Sequence, residues 1–225
     1  MGLVAERTES KPQRTILLVA EYAALFLGLP LAFRFGLVPI PVMPALWILA
    51  AGCLLILVFT GTLDVKSLWN ARRLRTCITF VVVPFAVAAP VLLLVGWLYD
   101  PERLFTFVRQ RPLFWLLLMV LYPILSVYPQ GIIYRAFILH RYRPLFGPRW
   151  VRILASAIAF SAAHMIFQNW IAPILTFAGG LLFAWTYEQT RSGLLATMQH
   201  ALFGCYLFTT GLGWYFYYGA VHAAS

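Results

Sequence analysis

The chain has 225 residues and a net charge of +10, with 62% of its residues apolar or aromatic and 11% charged. Soluble domains run at roughly 45–50% apolar and about 25% charged, so a water-soluble enzyme and a disordered chain are both excluded. What remains is an all-α protein, a polytopic transmembrane helical bundle forming one integral membrane domain over residues 1–225.

A bilayer core of roughly 30 Å takes about 20 apolar residues per helix. On that ruler the sequence predicts seven spans, at about 15–34, 38–61, 76–98, 113–139, 151–168, 170–189 and 193–210. The first follows a charged tail (Arg7, Lys11, Arg14) and has no small-residue cleavage site, so it reads as a retained helix rather than a signal peptide. The fourth contains Pro123 and Pro129, which predict a kink or a broken helix. The aromatic stretch 211–222 is expected either to lie at the interface or to form a short eighth segment. No internal repeat is visible, and the connections are too short to hold a soluble domain.

The basic residues orient the chain. With the N-terminus placed in the cytoplasm, twelve Lys and Arg fall inside and four (Arg34, Arg103, Arg109, Arg111) outside, a positive-inside bias. Loop arginines thus account for the positive charge, and no nucleic-acid partner is expected. Cys53, Cys77 and Cys205 all sit in apolar stretches, in odd number and without ligand spacing, which argues against disulfides and a structural zinc. Short loops on a compact chain suit a bacterial inner membrane.

An ionisable residue within a span is costly and marks a functional candidate. Gln130, His164 and His200 fall roughly 15, 18 and 10 Å from the basic end of their spans at 1.5 Å per residue, and so are expected in one layer of the cytoplasmic half. Phe160, His164 and Gln168 follow at i, i+4 and i+8, which predicts a common helical face. Gly204, four residues after His200, would let a helix or peptide approach that imidazole. Gly131 and Arg135 share a face in the fourth span. Bland readings stand beside these: either histidine can be a packing residue with a hydrogen bond, and Arg135 can snorkel to the headgroups. Glu188 reads as a solvated helix-end charge beside Arg191, with Arg135 as an alternative partner. Glu21 is alone on its span and is unassigned.

In order, the segments YPQGIIYRAFILHRY, AFSAAH, FAWTYEQTRSGLL and MQHALFG resemble the CPBP intramembrane proteases, the CAAX-processing and bacteriocin-processing enzymes also called the Abi family. That family carries E-E-x-x-x-R, then F-x-x-x-H, then a His followed four residues on by Asn or Asp. The resemblance covers about residues 122–210. It implies that Arg135, Phe160, His164 and His200 stand at signature positions. Gln130 and Gly131 replace the glutamate pair, and Gly204 replaces the Asn or Asp. In the family the glutamate is thought to activate the attacking water, with the histidines assisting.

A general base must take up a proton near neutral pH, which Gln130 cannot do, although it can still orient a water. The expectation is therefore a CAAX-type endopeptidase cutting a peptide bond near the cytoplasmic face, impaired by Gln130 and Gly131. Its catalytic set would be Gln130, Gly131, Arg135, His164 and His200, with Phe160, Gln168 and Gly204 toward the substrate, a membrane protein or peptide in the lipid. The alternative is a non-catalytic relative that binds such a partner in the same cavity, as an immunity, chaperone or assembly factor. A transporter would want a continuous polar path or repeat symmetry, and neither is present. A divalent metal such as zinc is weakly supported, because two histidines without a carboxylate or thiolate make a poor ligand set.

Overall fold

The computed structural model describes residues 11–71, 75 and 78–217. The described residues form helices and no strand. Six helical runs are long and apolar enough to cross a membrane: α1 (Pro12–Arg34), α2 (Val42–Phe59), α3 (Thr79–Tyr99), α4 (Pro112–Arg141), α5 (Arg149–Phe167) and α6 (Ile171–Thr190). The seventh expected span is also helical, as α7 (Gly193–Thr210), but is less apolar than these six because Gln199 and His200 stand in its middle. The stretch after α7 forms a 3-10 turn, Leu212–Phe216, with Leu212 and Gly213 buried, so no eighth span forms up to residue 217. Residues 218–222, the basic tail residue Arg7, the loop arginines Arg72 and Arg73, and Cys77 lie outside the described residues.

The helices are not equivalent. Only 11–17% of the apolar window of α1, α2 and α3 is buried within the protein, against 44% for α5 and 50% for α6. The first three helices therefore spend most of their surface on lipid, and the motif-bearing helices form the interior. The second half of α4 runs through the centre, packed by α2, α5, α6 and α7. Ile133, Phe137, Ile138 and Leu139 of α4 are fully buried there, with Phe26, Leu57, Phe160 and Tyr187 around them. Gly180 lets α5 and α6 close up, since a Cβ there would stand 2.9 Å from the Ala157 Cα.

The prolines of α4 do not break it. The run is helical from Pro112 to Arg141, so no break occurs, and π-helical segments lie at Pro123–Val127 and Gly131–Phe137. A proline removes an N–H and crowds the carbonyl four residues earlier, so that carbonyl needs another donor. For Pro129 it is the Leu125 carbonyl, which accepts from the Trp47 indole at 2.9 Å. For Pro123 it is Met119, approached by the Cys205 thiol at 3.9 Å. Neighbouring helices thus satisfy what the prolines free, as an apolar medium requires.

Among the described residues, charged groups are paired in three places, at Glu21, at Glu188 and between Arg103 and Asp100. Glu21, isolated in sequence, accepts from Arg141 through Nε at 3.1 Å and Nη2 at 2.8 Å, and from the Tyr142 hydroxyl at 2.8 Å. Glu188 is not a solvated helix-end charge and does not reach for Arg135. It is 4% exposed and binds Arg152 at 3.0 Å and Arg191 at 3.1 Å. At the opposite end Tyr215 donates to Asp100 at 2.7 Å. Burial, and then that carboxylate, push the Tyr215 phenol up to about 12.

Candidate active site

The site is built around one aromatic ring. Phe160, 1% exposed on α5, has the Arg135 guanidinium carbon 4.1 Å from its ring centre, the His164 ring at 4.6 Å and the His200 ring at 5.2 Å. Phe183 of α6 completes the wall, stacked on His200 at 4.9 Å and 20° and lying 5.2 Å from the Arg135 guanidinium. Four helices, α4 to α7, thus deliver Arg135, Phe160, Phe183 and His200 to one cluster, with His164 at its edge.

Arg135 does not snorkel. It is 1% exposed and lies inside the π-helical segment Gly131–Phe137, the kind of local widening that often occurs at functional sites. One guanidinium nitrogen, Nη1, reaches the Gln130 main-chain carbonyl at 3.4 Å, while Nε and Nη2 are buried without a hydrogen-bond partner. The Gln130 amide donates to the Ser126 hydroxyl at 2.8 Å, and its Oε1 is buried and unpartnered. Gly131 lies against α7, where an added Cβ would stand 3.0 Å from the Thr197 hydroxyl.

The two histidines differ. His164 lies just past the regular part of α5, in the 3-10 turn His164–Phe167, and is partly exposed. Its Nδ1 is 2.7 Å from the Phe160 carbonyl. A carbonyl only accepts, so Nδ1 carries the proton and the Nε2 lone pair is free. His200 is 6% exposed, its Nε2 stands 3.4 Å from the Tyr122 hydroxyl, and its Nδ1 is buried without a partner.

Two expectations are corrected by this geometry. Gln168 does not share the face of Phe160 and His164. The α-helix gives way to a 3-10 turn at His164, and Gln168 then adopts a left-handed φ of 55° and is exposed. It lines a separate cavity of about 80 Å³ with Arg34 and Trp170. His164 also does not lie in a layer near the basic loops. His164 packs 5.9 Å from the Phe216 ring, beyond the far end of α7, and the next carbonyl, Met165, accepts from Arg34 at the far end of α1. Depth counted from one end of α5 placed the residue by rise alone and ignored how early that helix ends.

Tyr122, Ser126 and Phe183 belong to the site and were not singled out in the sequence. The spacing Tyr122, Ser126, Gln130 at i, i+4, i+8 is a legible signal for the first two. The approach that Gly204 permits is made by Tyr122: a Cβ on Gly204 would overlap the Tyr122 hydroxyl and ring carbons. Gly204→Asn is therefore expected to lower stability by about 1–3 kcal/mol, the usual cost of overpacking. Adding Tyr122→Ala should recover part of that loss. Thermal unfolding of the three proteins in detergent checks both statements, and an unperturbed single variant would contradict them.

A metal does not suit this set. The donors are two imidazoles, one with Nδ1 committed to Phe160, with no thiolate or carboxylate beside them. Among the described residues no group of three or more His, Cys, Asp or Glu could hold a metal ion.

Residues 111–206 match the family described as type II CAAX prenyl endopeptidase Rce1-like. The match spans α4 to most of α7, the helices that build the cluster. No curated protein and no solved structure matches the chain.

Proposed function

We propose, for a chain whose residues 111–206 match the family described as type II CAAX prenyl endopeptidase Rce1-like, an intramembrane endopeptidase of the CAAX type whose hydrolytic step is impaired. The observation that supports it is the convergence of Arg135, His164 and His200 on the buried Phe160 ring. In this reading Gln130 orients a water without deprotonating it. The Nε2 lone pair of His164 takes the water's proton as oxygen attacks the scissile carbonyl, and that proton passes to the leaving amine. His200, donating from Nδ1, stabilises the oxyanion. Phe160 and Phe183 hold the peptide. Arg135 and Gly131 shape the π-helical wall behind Gln130.

A second reading is favoured by one feature, the lack of any carboxylate at the cluster: among the described residues Glu21 and Glu188 are engaged by other arginines. It is a non-catalytic relative that holds a membrane protein or peptide in the same place. Purified chain in lipid bilayers, tested on a membrane-peptide substrate beside His164→Ala and His200→Ala, separates the two. The endopeptidase reading expects slow cleavage that either substitution abolishes. Capture of the peptide without cleavage would favour the binding protein. Robust cleavage that survives both substitutions would overturn the site.

The protein is an integral membrane protein, and for its orientation the proposal is a bacterial inner membrane with the basic loops in the cytoplasm. A cysteine placed at position 143 should then resist membrane-impermeant labelling in intact cells and react after permeabilisation. Labelling of intact cells would reverse the orientation.

A further inference from the structure

At the end of the bundle away from the basic loops, an arginine lines a cavity that the candidate active site does not use. Arg34 closes α1, a run of 23 residues and so about 35 Å long at 1.5 Å per residue. That slightly exceeds a hydrocarbon core of roughly 30 Å, which puts Arg34 at the depth of lipid headgroups. Its Nη1 donates to the Met165 carbonyl at 2.8 Å, which fixes the plane of the guanidinium. Its Nε and Nη2 make no hydrogen bond with the described residues, and no carboxylate among them pairs with this charge. The cavity holds about 80 Å³ and is lined by Met165, Gln168, Asn169, Trp170 and Pro173 together with Arg34. Asn169 is committed to the walls: its amide donates to the Phe167 and Tyr215 carbonyls, and its Oδ1 accepts from the Ala172 N–H. Gln168 is exposed, at a left-handed φ of 55°, and its side-chain amide makes no hydrogen bond with the described residues. Trp170, 78% exposed, is the kind of ring that anchors a helix at headgroup level.

The cavity borders the start of α6, whose dipole favours an anion there. The helix itself offers few donors, because the Ala172 N–H is taken and Pro173 has none, so Arg34 and Gln168 must supply them. We infer that the cavity binds the phosphate of an anionic phospholipid, with the Nε–Nη2 edge of Arg34 forked onto two phosphate oxygens and the Gln168 amide donating to one of them. A phosphate supplies the counter-charge that Arg34 lacks, and it fits a volume too small for an acyl chain. No acidic residue lines the cavity to receive the ammonium of a zwitterionic headgroup, which favours a headgroup with net negative charge. The apolar part of the lipid is also provided for. Phe33, the residue before Arg34, lines an apolar cavity of about 330 Å³ with Val38, Ile40 and Met43. Ile174, one turn along α6 from Trp170, is 65% exposed. A soluble anion would leave both surfaces unused. The inference concerns a site separate from the Arg135 cluster and stands whether or not the chain cleaves a peptide.

The test counts lipids bound to the intact chain in a maltoside detergent by native mass spectrometry, with thermal shift as a second readout. The probes are dioleoyl phosphatidylglycerol, dioleoylglycerol, which has the same chains and no phosphate, and inorganic phosphate. One phosphatidylglycerol should bind at least about tenfold more tightly than dioleoylglycerol and than any further lipid, the weight of a charge-assisted hydrogen bond. An excess of inorganic phosphate should leave it in place. Arg34→Gln should weaken this first lipid by about 10–100-fold. Arg34→Lys, which keeps the charge and loses the fork, should lose most of the same affinity. Arg111→Gln removes an exposed charge from the same end and should weaken binding by no more than about fivefold, the share of diffuse attraction to an anionic lipid. Graded uptake of many equivalent lipids, or equal binding of the two dioleoyl probes, would overturn the inference, and neither arm needs a variant to fold. Equal losses in Arg34→Gln and Arg111→Gln would do the same. Displacement by inorganic phosphate would give the cavity to a soluble anion and overturn it as a lipid site.

Discussion

Replacing Gln130 by glutamate is expected to raise cleavage of a membrane-peptide substrate by about 10²–10⁴-fold, the range that a positioned general base contributes. The side chains are nearly isosteric, and Gln130 is already held by Ser126 at 2.8 Å, so a carboxylate there would accept from the same hydroxyl without repacking. It would also stand next to Arg135, which already touches the main chain of residue 130. A water beside it would then have a carboxylate base, which the present cluster lacks, in addition to His164. The gain should disappear in Gln130→Glu combined with His164→Ala, because the leaving amine then loses the imidazole that carries its proton. Gln130→Glu with Gly131→Glu extends the test. An added Cβ at 131 meets only the Thr197 hydroxyl at 3.0 Å, a contact that a small rotation relieves. Steady-state cleavage by the starting chain and these three variants is the measurement. No gain in either glutamate variant would favour the binding protein, and fast cleavage by the chain as it stands would remove the need for a carboxylate.

The largest stability effect is expected at Glu188. Its side chain is 0% exposed and that of Arg152 is 8% exposed, so their 3.0 Å ion pair is sealed within the bundle. Arg152 is fixed further by donating from Nη1 to the Gly147 carbonyl. Glu188→Gln leaves the Arg152 charge buried and uncompensated, which costs about 3–5 kcal/mol. Arg191 is different, because its side chain is 51% exposed and can turn into solvent. Arg191→Gln should therefore cost no more than about 1 kcal/mol. Removing both charges together, as Arg152→Met with Glu188→Leu, should recover most of the loss, since well-packed apolar replacements of a buried pair are often neutral. Denaturant unfolding in mixed micelles orders the three variants. A Glu188→Gln protein as stable as Arg191→Gln would show that the pair carries no such weight.

The sequence by itself determined the class of protein and the helical segments, because both depend on quantities that add along the chain. Apolar content decides the solvent, and a run of about 20 apolar residues decides a span wherever it occurs. The motif order from YPQGIIYR to MQHALFG is of the same kind, and it pointed to the helices that the family match covers. Which of those residues meet was decided only by tertiary structure. Periodicity placed Gln168 on the face of His164, but it assumed that the helix continued, whereas α5 changes to a 3-10 turn at His164. Proline spacing suggested a break in α4, yet Trp47 and Cys205 from other helices supply donors near the freed carbonyls, and the helix runs on through π segments. Glu21 had no partner within reach in the sequence, and the buried partner of Glu188 was equally hidden, because Arg141 and Arg152 lie 120 and 36 residues away. The hydrogen bonding of Arg135 was equally out of reach. A guanidinium near a helix end turns to the headgroups or to the core according to what surrounds it, and Phe160 and Phe183, from two other helices, turn this one inward.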